Sequence, residues 1–107
     1  MSDLKWNKDF AFEQAGEDQA LLEELLGLLC ESSLSDLQKI KDNLTAGDAQ
    51  AVADAAHSIK GAAASLGVEG LREAASDIER KGRENQLAAV DVLVIGELVG
   101  KLASLKA

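Results

Sequence analysis

Proline is absent from all 107 residues of this chain. A helix can therefore be stopped here only by glycine, by a polar cap or by the end of an apolar pattern. Ala, Leu, Glu and Lys, all strong helix formers, are plentiful, and the aromatic residues are confined to Trp6, Phe10 and Phe12. These features predict an all-α fold. Residues 1–107 are expected to make one domain, large enough to bury a core without disulfide or metal. The initial Met1 and the lack of linker-like stretches suggest a free-standing protein rather than a module cut from a larger one.

Glycines and acidic caps divide the chain into segments. Asn7 or Asp9 caps a short helix through about Ala15, closed by Gly16 and expected to lie across one end or side of the main bundle. Asp18 caps a long helix whose apolar positions are Leu22, Leu26, Leu29, Leu37, Ile40 and Leu44, with Gly47 closing it. The polar run Glu31-Ser32-Ser33 interrupts that pattern and suggests a bend. Asp48 caps a third helix, Ala49 to Leu66, where Ala49, Val52, Ala56, Ile59, Ala63 and Leu66 recur in steps of three and four. Gly67 ends it. A fourth helix, about Val68 to Arg83, repeats the spacing with Leu71, Ala75, Ile78 and Gly82, and Gly82 to Asn85 form a turn. The last helix is expected from about Leu87 to Leu105 through Val90, Val94, Leu98 and Leu102. Short connections make successive helices antiparallel neighbours, so the expected architecture is an antiparallel up-down four-helix bundle with a short additional N-terminal helix.

The chain's single histidine, His57, lies in the run His57-Ser58-Ile59-Lys60-Gly61 of the third helix. At roughly 100° per residue, His57 falls roughly 130° from the seam direction and Gly61 roughly 170° from it. The ring is therefore expected in solvent, framed by the small residues Ala53, Gly61 and Ala64. A glycine in mid-helix costs about 1 kcal/mol relative to alanine. Facing away from the seam, Gly61 is poorly explained by helix packing. A bare backbone beside an exposed imidazole admits another protein closely. Imidazole, with an unperturbed pKa of about 6.5, is largely a neutral nucleophile near pH 7. Lys60, one turn away, supplies positive charge where phosphoryl oxygens would arrive. These residues point to phosphoryl transfer through His57. On a blander view His57 is an ordinary surface residue and Lys60 a snorkelling boundary lysine.

Folding the third and fourth helices back around Gly67 brings Ile78 and Glu79 level with His57. Glu79 is placed either to hold one ring nitrogen and leave the other as nucleophile, or simply to pair with Lys60 or face water. Arg80, Lys81 and Arg83 form a basic cluster that either holds phosphate or an acidic partner, or complements the dipole of a solvated helix end.

A formal net charge of −8 argues against nucleic acid and anionic membrane partners. No signal-peptide pattern opens the chain, and the apolar run Leu87 to Val99 is too short and too charged to span a bilayer. Cys30 is alone and reads as a buried structural thiol compatible with a reducing cytoplasm. One His and one Cys cannot make a closed zinc site, so no metal is expected on this chain. No glycine-rich loop offers a nucleotide phosphate cradle.

The stretch Ala56-His57-Ser58-Ile59-Lys60-Gly61-Ala62-Ala63-Ala64-Ser65-Leu66-Gly67, followed by Leu71, resembles the signature of histidine-containing phosphotransfer (HPt) domains. That pattern is Ala-His-x-Leu/Ile-Lys-Gly, small residues, then an apolar residue and Gly. Ile78-Glu79 and the Gly82-Arg83 region resemble the family's fourth helix and turn. The resemblance implies that His57 accepts the phosphoryl group, Lys60 gives it electrostatic support, and Gly61 leaves room for a response-regulator receiver domain. It further implies exchange with receiver aspartates or a sensor or hybrid histidine kinase, no kinase activity in the chain itself, and no bound cofactor, Mg²⁺ being carried by the receiver. Some members have Gln at the position of Glu79. A monomer is expected. Two alternatives stand beside this: a helical interaction module without phosphoryl chemistry, and the phospho-accepting helix pair of a histidine kinase. The latter usually has an acidic residue after the His and a proline soon after, where this chain has Ser58 and no proline.

Overall fold

The computed structural model describes residues 3–106. Its helices are α1 (Lys8–Gln14), α2 (Gln19–Ala46), α3 (Ala49–Ser65), α4 (Glu69–Arg83) and α5 (Val92–Lys101), with 3₁₀ turns at Leu87–Ala89 and Leu102–Lys106. Among the described residues the sole β feature is an isolated antiparallel bridge between Trp6 and Val68. The fold is all-α.

Side-chain caps start four of the five helices by satisfying amides that have no partner within the helix. Asn7 accepts from the Phe10 amide, Asp18 from Leu21, Asp48 from Ala51 and Asp91 from Leu93. Of the two caps the sequence offered for α1, Asn7 is used. At the end of α2, Gly47 has φ +74°, the left-handed conformation that glycine adopts without strain.

The cap at Asp91 divides the expected Leu87–Leu105 helix. Val90 is extended, and helix resumes at Val92. The restart also changes which face is buried. Ile95, Leu98, Val99 and Leu102 enter the core, whereas Val94, expected on the seam, is exposed. In α2 the polar run does not end the helix, because Ser33 continues the inward register of Leu22, Leu26 and Leu29 toward Leu37 and Ile40. Its Oγ is buried without a hydrogen-bond partner among the described residues. Cys30, expected buried, is half-buried at the core's edge.

α3 packs against both α2 and α4, and α5 closes against α4 and α2. The buried residues of these helices join in one apolar cluster that includes Leu26, Ile40, Ile59, Leu71, Ile78 and Ile95. α3 and α4 run antiparallel. Ala53 meets Gly82, and one turn further along α3, His57 meets Glu79, which lies one turn back along α4. At Gly82 the two backbones come so close that an added Cβ would lie 2.9 Å from the Ala53 Cβ and 3.1 Å from the Ala49 carbonyl oxygen.

α4 has no side-chain cap at Val68. The N-terminal segment supplies the missing acceptors. The Gly70 amide donates to the Leu4 carbonyl at 2.7 Å and the Glu69 amide to Lys5 at 3.4 Å. In return the Asn7 amide donates to the Gly67 carbonyl at 2.9 Å and Trp6 Nε1 to the Leu66 carbonyl at 3.0 Å. Residues 3–7 thus form a strap across the α3–α4 turn, at one end of that hairpin. Gly70 permits it: an added Cβ would lie 2.0 Å from the Asp3 carbonyl oxygen. Gly70→Ala is expected to lift the strap at a cost of about 2 kcal/mol, in the range for forced overpacking. Trp6 is the chain's one tryptophan, so its fluorescence should shift to the red; an unshifted spectrum and unchanged melting would refute the strap.

Candidate functional site

His57 stands on the solvent side of α3 with 62 % of its side chain exposed. Ile59 and Ala56 beside it face the core, so the apolar face of α3 holds the helix in place and turns the ring outward. The facing α4 residue is Glu79, only 13 % exposed. Ile78, the adjacent buried residue of α4, anchors that segment.

The Glu79 carboxylate joins the site's polar groups. Its Oε2 lies 2.8 Å from His57 Nδ1, and its Oε1 accepts from Lys60 Nζ. Arg83, one turn on along α4, places Nη2 3.5 Å from the same Oε2 and Nη1 3.2 Å from Asp54 Oδ1 on α3. Burial is the largest single influence on the Glu79 carboxyl and pushes its pKa up. Hydrogen bonds from Lys60 and His57, together with the positive charge of Lys60, outweigh burial and hold it below the usual value. Glu79 is therefore ionised at neutral pH and acts only as an acceptor. Its bond to the imidazole requires the proton on Nδ1, which leaves the lone pair on Nε2. The arrangement is an exposed ring whose Nδ1 is held by a half-buried carboxylate, which in the neutral ring leaves the lone pair on Nε2.

The residues expected to frame the ring divide three ways. Gly61 is exposed, with nothing within 4 Å of where a Cβ would be. Ala64 is half-buried. Ala53 is not part of the accessible surface at all: it is 0 % exposed and lies against Gly82. A helix with one seam would leave Ala53 beside the exposed ring, whereas α3 is packed on two flanks and buries a wider arc. Gly96 and Gly100 share with Gly61 the open space around the missing Cβ, but neither stands one turn from the imidazole.

On the α2 side, Ala62 and Ser65 form one wall of an open groove of about 700 Å³, whose other wall includes Leu25 and Leu28. The basic cluster of α4 also separates. Arg80 pairs with Asp77 and Glu84, and Lys81 pairs with Asp77. Only Arg83 of the three turns toward His57. Its link to Asp54 escaped the sequence reading. The signal was present in spacing alone, with Asp54 one turn before His57 and Arg83 one turn after Glu79.

Among the described residues no helix is long and apolar enough to cross a membrane, and no group of three or more His, Cys, Asp or Glu is placed to hold a metal ion. Searches of curated proteins and of solved structures returned no match. Compared with known families, residues 24–107 match the one described as the Hpt domain, a span that takes in α3, α4 and every residue of the His57 cluster. The chain belongs to the Hpt domain family, whose members carry phosphoryl groups in two-component signalling.

Proposed function

We propose that this chain is a phosphohistidine carrier, a single domain on an antiparallel up-down four-helix bundle. It works as a cytoplasmic monomer that exchanges a phosphoryl group between His57 and a receiver-domain aspartate and draws on a sensor or hybrid histidine kinase upstream. The observation that carries this is the exposed His57 ring tied through Nδ1 to the half-buried Glu79 carboxylate. The Nε2 lone pair attacks the phosphorus of an aspartyl phosphate. A nitrogen–phosphorus bond forms, the phosphorus–oxygen bond breaks, and its electron pair leaves on the aspartate carboxylate. Nδ1 keeps its proton throughout, and Glu79 balances the positive charge that develops on the ring. Lys60, bound to the other Glu79 oxygen, adds positive charge on the incoming phosphoryl side. Mg²⁺ on the receiver supplies charge neutralisation, and this chain adds no kinase activity of its own.

Gly61 and the adjoining Leu28-lined groove give the receiver its approach. Incubation with phosphorylated receiver domains should label His57 with acid-labile, base-stable phosphate. Gly61→Leu should slow that transfer by about tenfold or more, because a displacement of about 1 Å at a docked reaction centre costs on the order of 100-fold. Labelling of the same variant by phosphoramidate, a small donor that needs no docking, should be unaffected. Open space around Gly61 means the fold has no reason to suffer. Normal transfer from the receiver to Gly61→Leu would remove docking as the reason for this glycine, and failure of every receiver and of phosphoramidate to label His57 would overturn the carrier function.

A further inference from the structure

We propose that Asp54 limits the lifetime of the phosphohistidine by competing with the phosphoryl group for Arg83; this rests on the carrier function assigned above. Arg83 spans two carboxylates, with Nη1 3.2 Å from Asp54 Oδ1 and Nη2 3.5 Å from Glu79 Oε2. That Glu79 oxygen is also the one held by His57 Nδ1 at 2.8 Å. The guanidinium and the imidazole therefore share one carboxylate oxygen. Asp54 is three residues before His57 on α3, on the same surface of the helix.

The site's two cations differ in how freely they can move. Lys60 is 31 % exposed and bound to a carboxylate that is 13 % exposed, so it is the less free of the two. Arg83 and Asp54 have 43 % and 60 % of their side chains exposed. An ion pair that wet is weak and exchangeable. Asp54 Oδ1 also accepts from Gln50 Nε2 at 2.9 Å, so it keeps a partner when Arg83 departs. A phosphoryl group on Nε2 brings close to two negative charges and three acceptor oxygens, which the planar fork of an arginine fits. Arg80 and Lys81 are paired with Asp77 and Glu84 and are turned elsewhere.

Arg83 thus moves from Asp54 to the phosphoryl oxygens once His57 is charged, and Asp54 opposes the move by holding the guanidinium. The result is a phosphoryl group held less tightly than Lys60 and Arg83 together would allow, which suits a carrier that must give it up. Asp54 and Arg83 are positioning residues; neither forms a bond to phosphorus.

The experiment needs no protein partner. Phosphoramidate labels His57 as Nε2 attacks its phosphorus, the bond to the amino group breaks, and ammonia leaves. In hydrolysis a water oxygen bonds to phosphorus and the electron pair of the broken nitrogen–phosphorus bond returns to Nε2. The half-life of the label is followed in wild type, Asp54→Asn, Arg83→Gln and the double variant, with the melting temperature of each. Asp54→Asn should lengthen the half-life by about threefold and Arg83→Gln should shorten it by a similar factor, as for a weak exposed pair. In the Arg83→Gln background, Asp54→Asn should lose most of its effect, and in 1 M salt the differences should shrink as the Debye length falls to about 3 Å. A merely structural pair would alter melting and leave this non-additive, salt-sensitive pattern absent. An unchanged half-life in Asp54→Asn, or a gain that persists without Arg83, overturns the competition while leaving the carrier intact. Wild-type protein that takes no label from phosphoramidate or from any phosphorylated receiver overturns the carrier function itself.

Discussion

His57→Gln is expected to abolish acid-labile phosphorylation completely while leaving the melting temperature within about 4 °C of wild type, the shift an exposed substitution of about 0.5 kcal/mol gives a domain of this size. The loss should be total because the chain has one histidine and so no second imidazole to take over. Glutamine is the informative replacement. Its amide can still donate to Glu79, so the carboxylate keeps a partner near the position of Nδ1. Its nitrogen lone pair is delocalised into the carbonyl and does not attack phosphorus. Lys60 and Arg83 keep their contacts with Glu79 in the variant, so the electrostatics of the site survive and the nucleophile alone is removed. The readout is radiolabel or intact mass before and after mild acid, with a base-treated control. Phosphate on Ser58 would survive acid, and an acyl phosphate would not survive base. Acid-labile label persisting in His57→Gln would move the acceptor off this ring and sink the proposed mechanism.

The helices were legible in the sequence where a polar cap preceded an apolar pattern with steps of three and four. Asp18 and Asp48 mark the starts of α2 and α3 for this reason. Asp91 caps α5 in the same way, but it stands inside an apolar run from Leu87 to Val99, where periodicity gives no boundary. The strap of residues 3–7 was illegible for a different reason. Most of its contacts are main-chain hydrogen bonds, which almost any side chain permits, and its strictest requirement, Gly70, has meaning only once the strap is in place. Within the site, His57, Lys60 and Gly61 share one helix, so their spacing alone relates them. Glu79 needed only the assumption that α3 and α4 fold back around Gly67. Ala53 and the Asp54–Arg83 pair depend on how α3 and α4 are rotated against each other, and a pattern read along each helix separately does not contain that rotation.

That rotation is set at Gly82, where Gly82→Val is expected to force α3 and α4 apart. A Cβ there would meet the Ala53 Cβ at 2.9 Å and the Ala53 amide nitrogen at 3.1 Å, so part of the conflict is with backbone that cannot turn aside. Valine adds two more carbons, and α4 must move away from α3. Overpacking of this kind costs about 2–3 kcal/mol, or on the order of 10 °C in melting temperature for a domain this size. The displaced segment carries Glu79 one turn before it and Arg83 just after it. Measured well below its lowered melting point, the variant should therefore also receive phosphoryl from a receiver about tenfold more slowly, because the tautomer lock on His57 is loosened. A double-mutant cycle separates close approach from helix propensity. Gly82→Ala alone gains helix propensity but collides with Ala53, whereas Ala53→Gly alone loses about 1 kcal/mol of propensity. Moving the methyl group from one helix to the other, with both changes together, should remove the Cβ–Cβ clash and give a favourable coupling of about 1 kcal/mol, with the remaining backbone contacts preventing full recovery. Strict additivity of the two substitutions, or wild-type melting and transfer in Gly82→Val, would mean that this contact does not set the register on which the His57–Glu79 hydrogen bond depends.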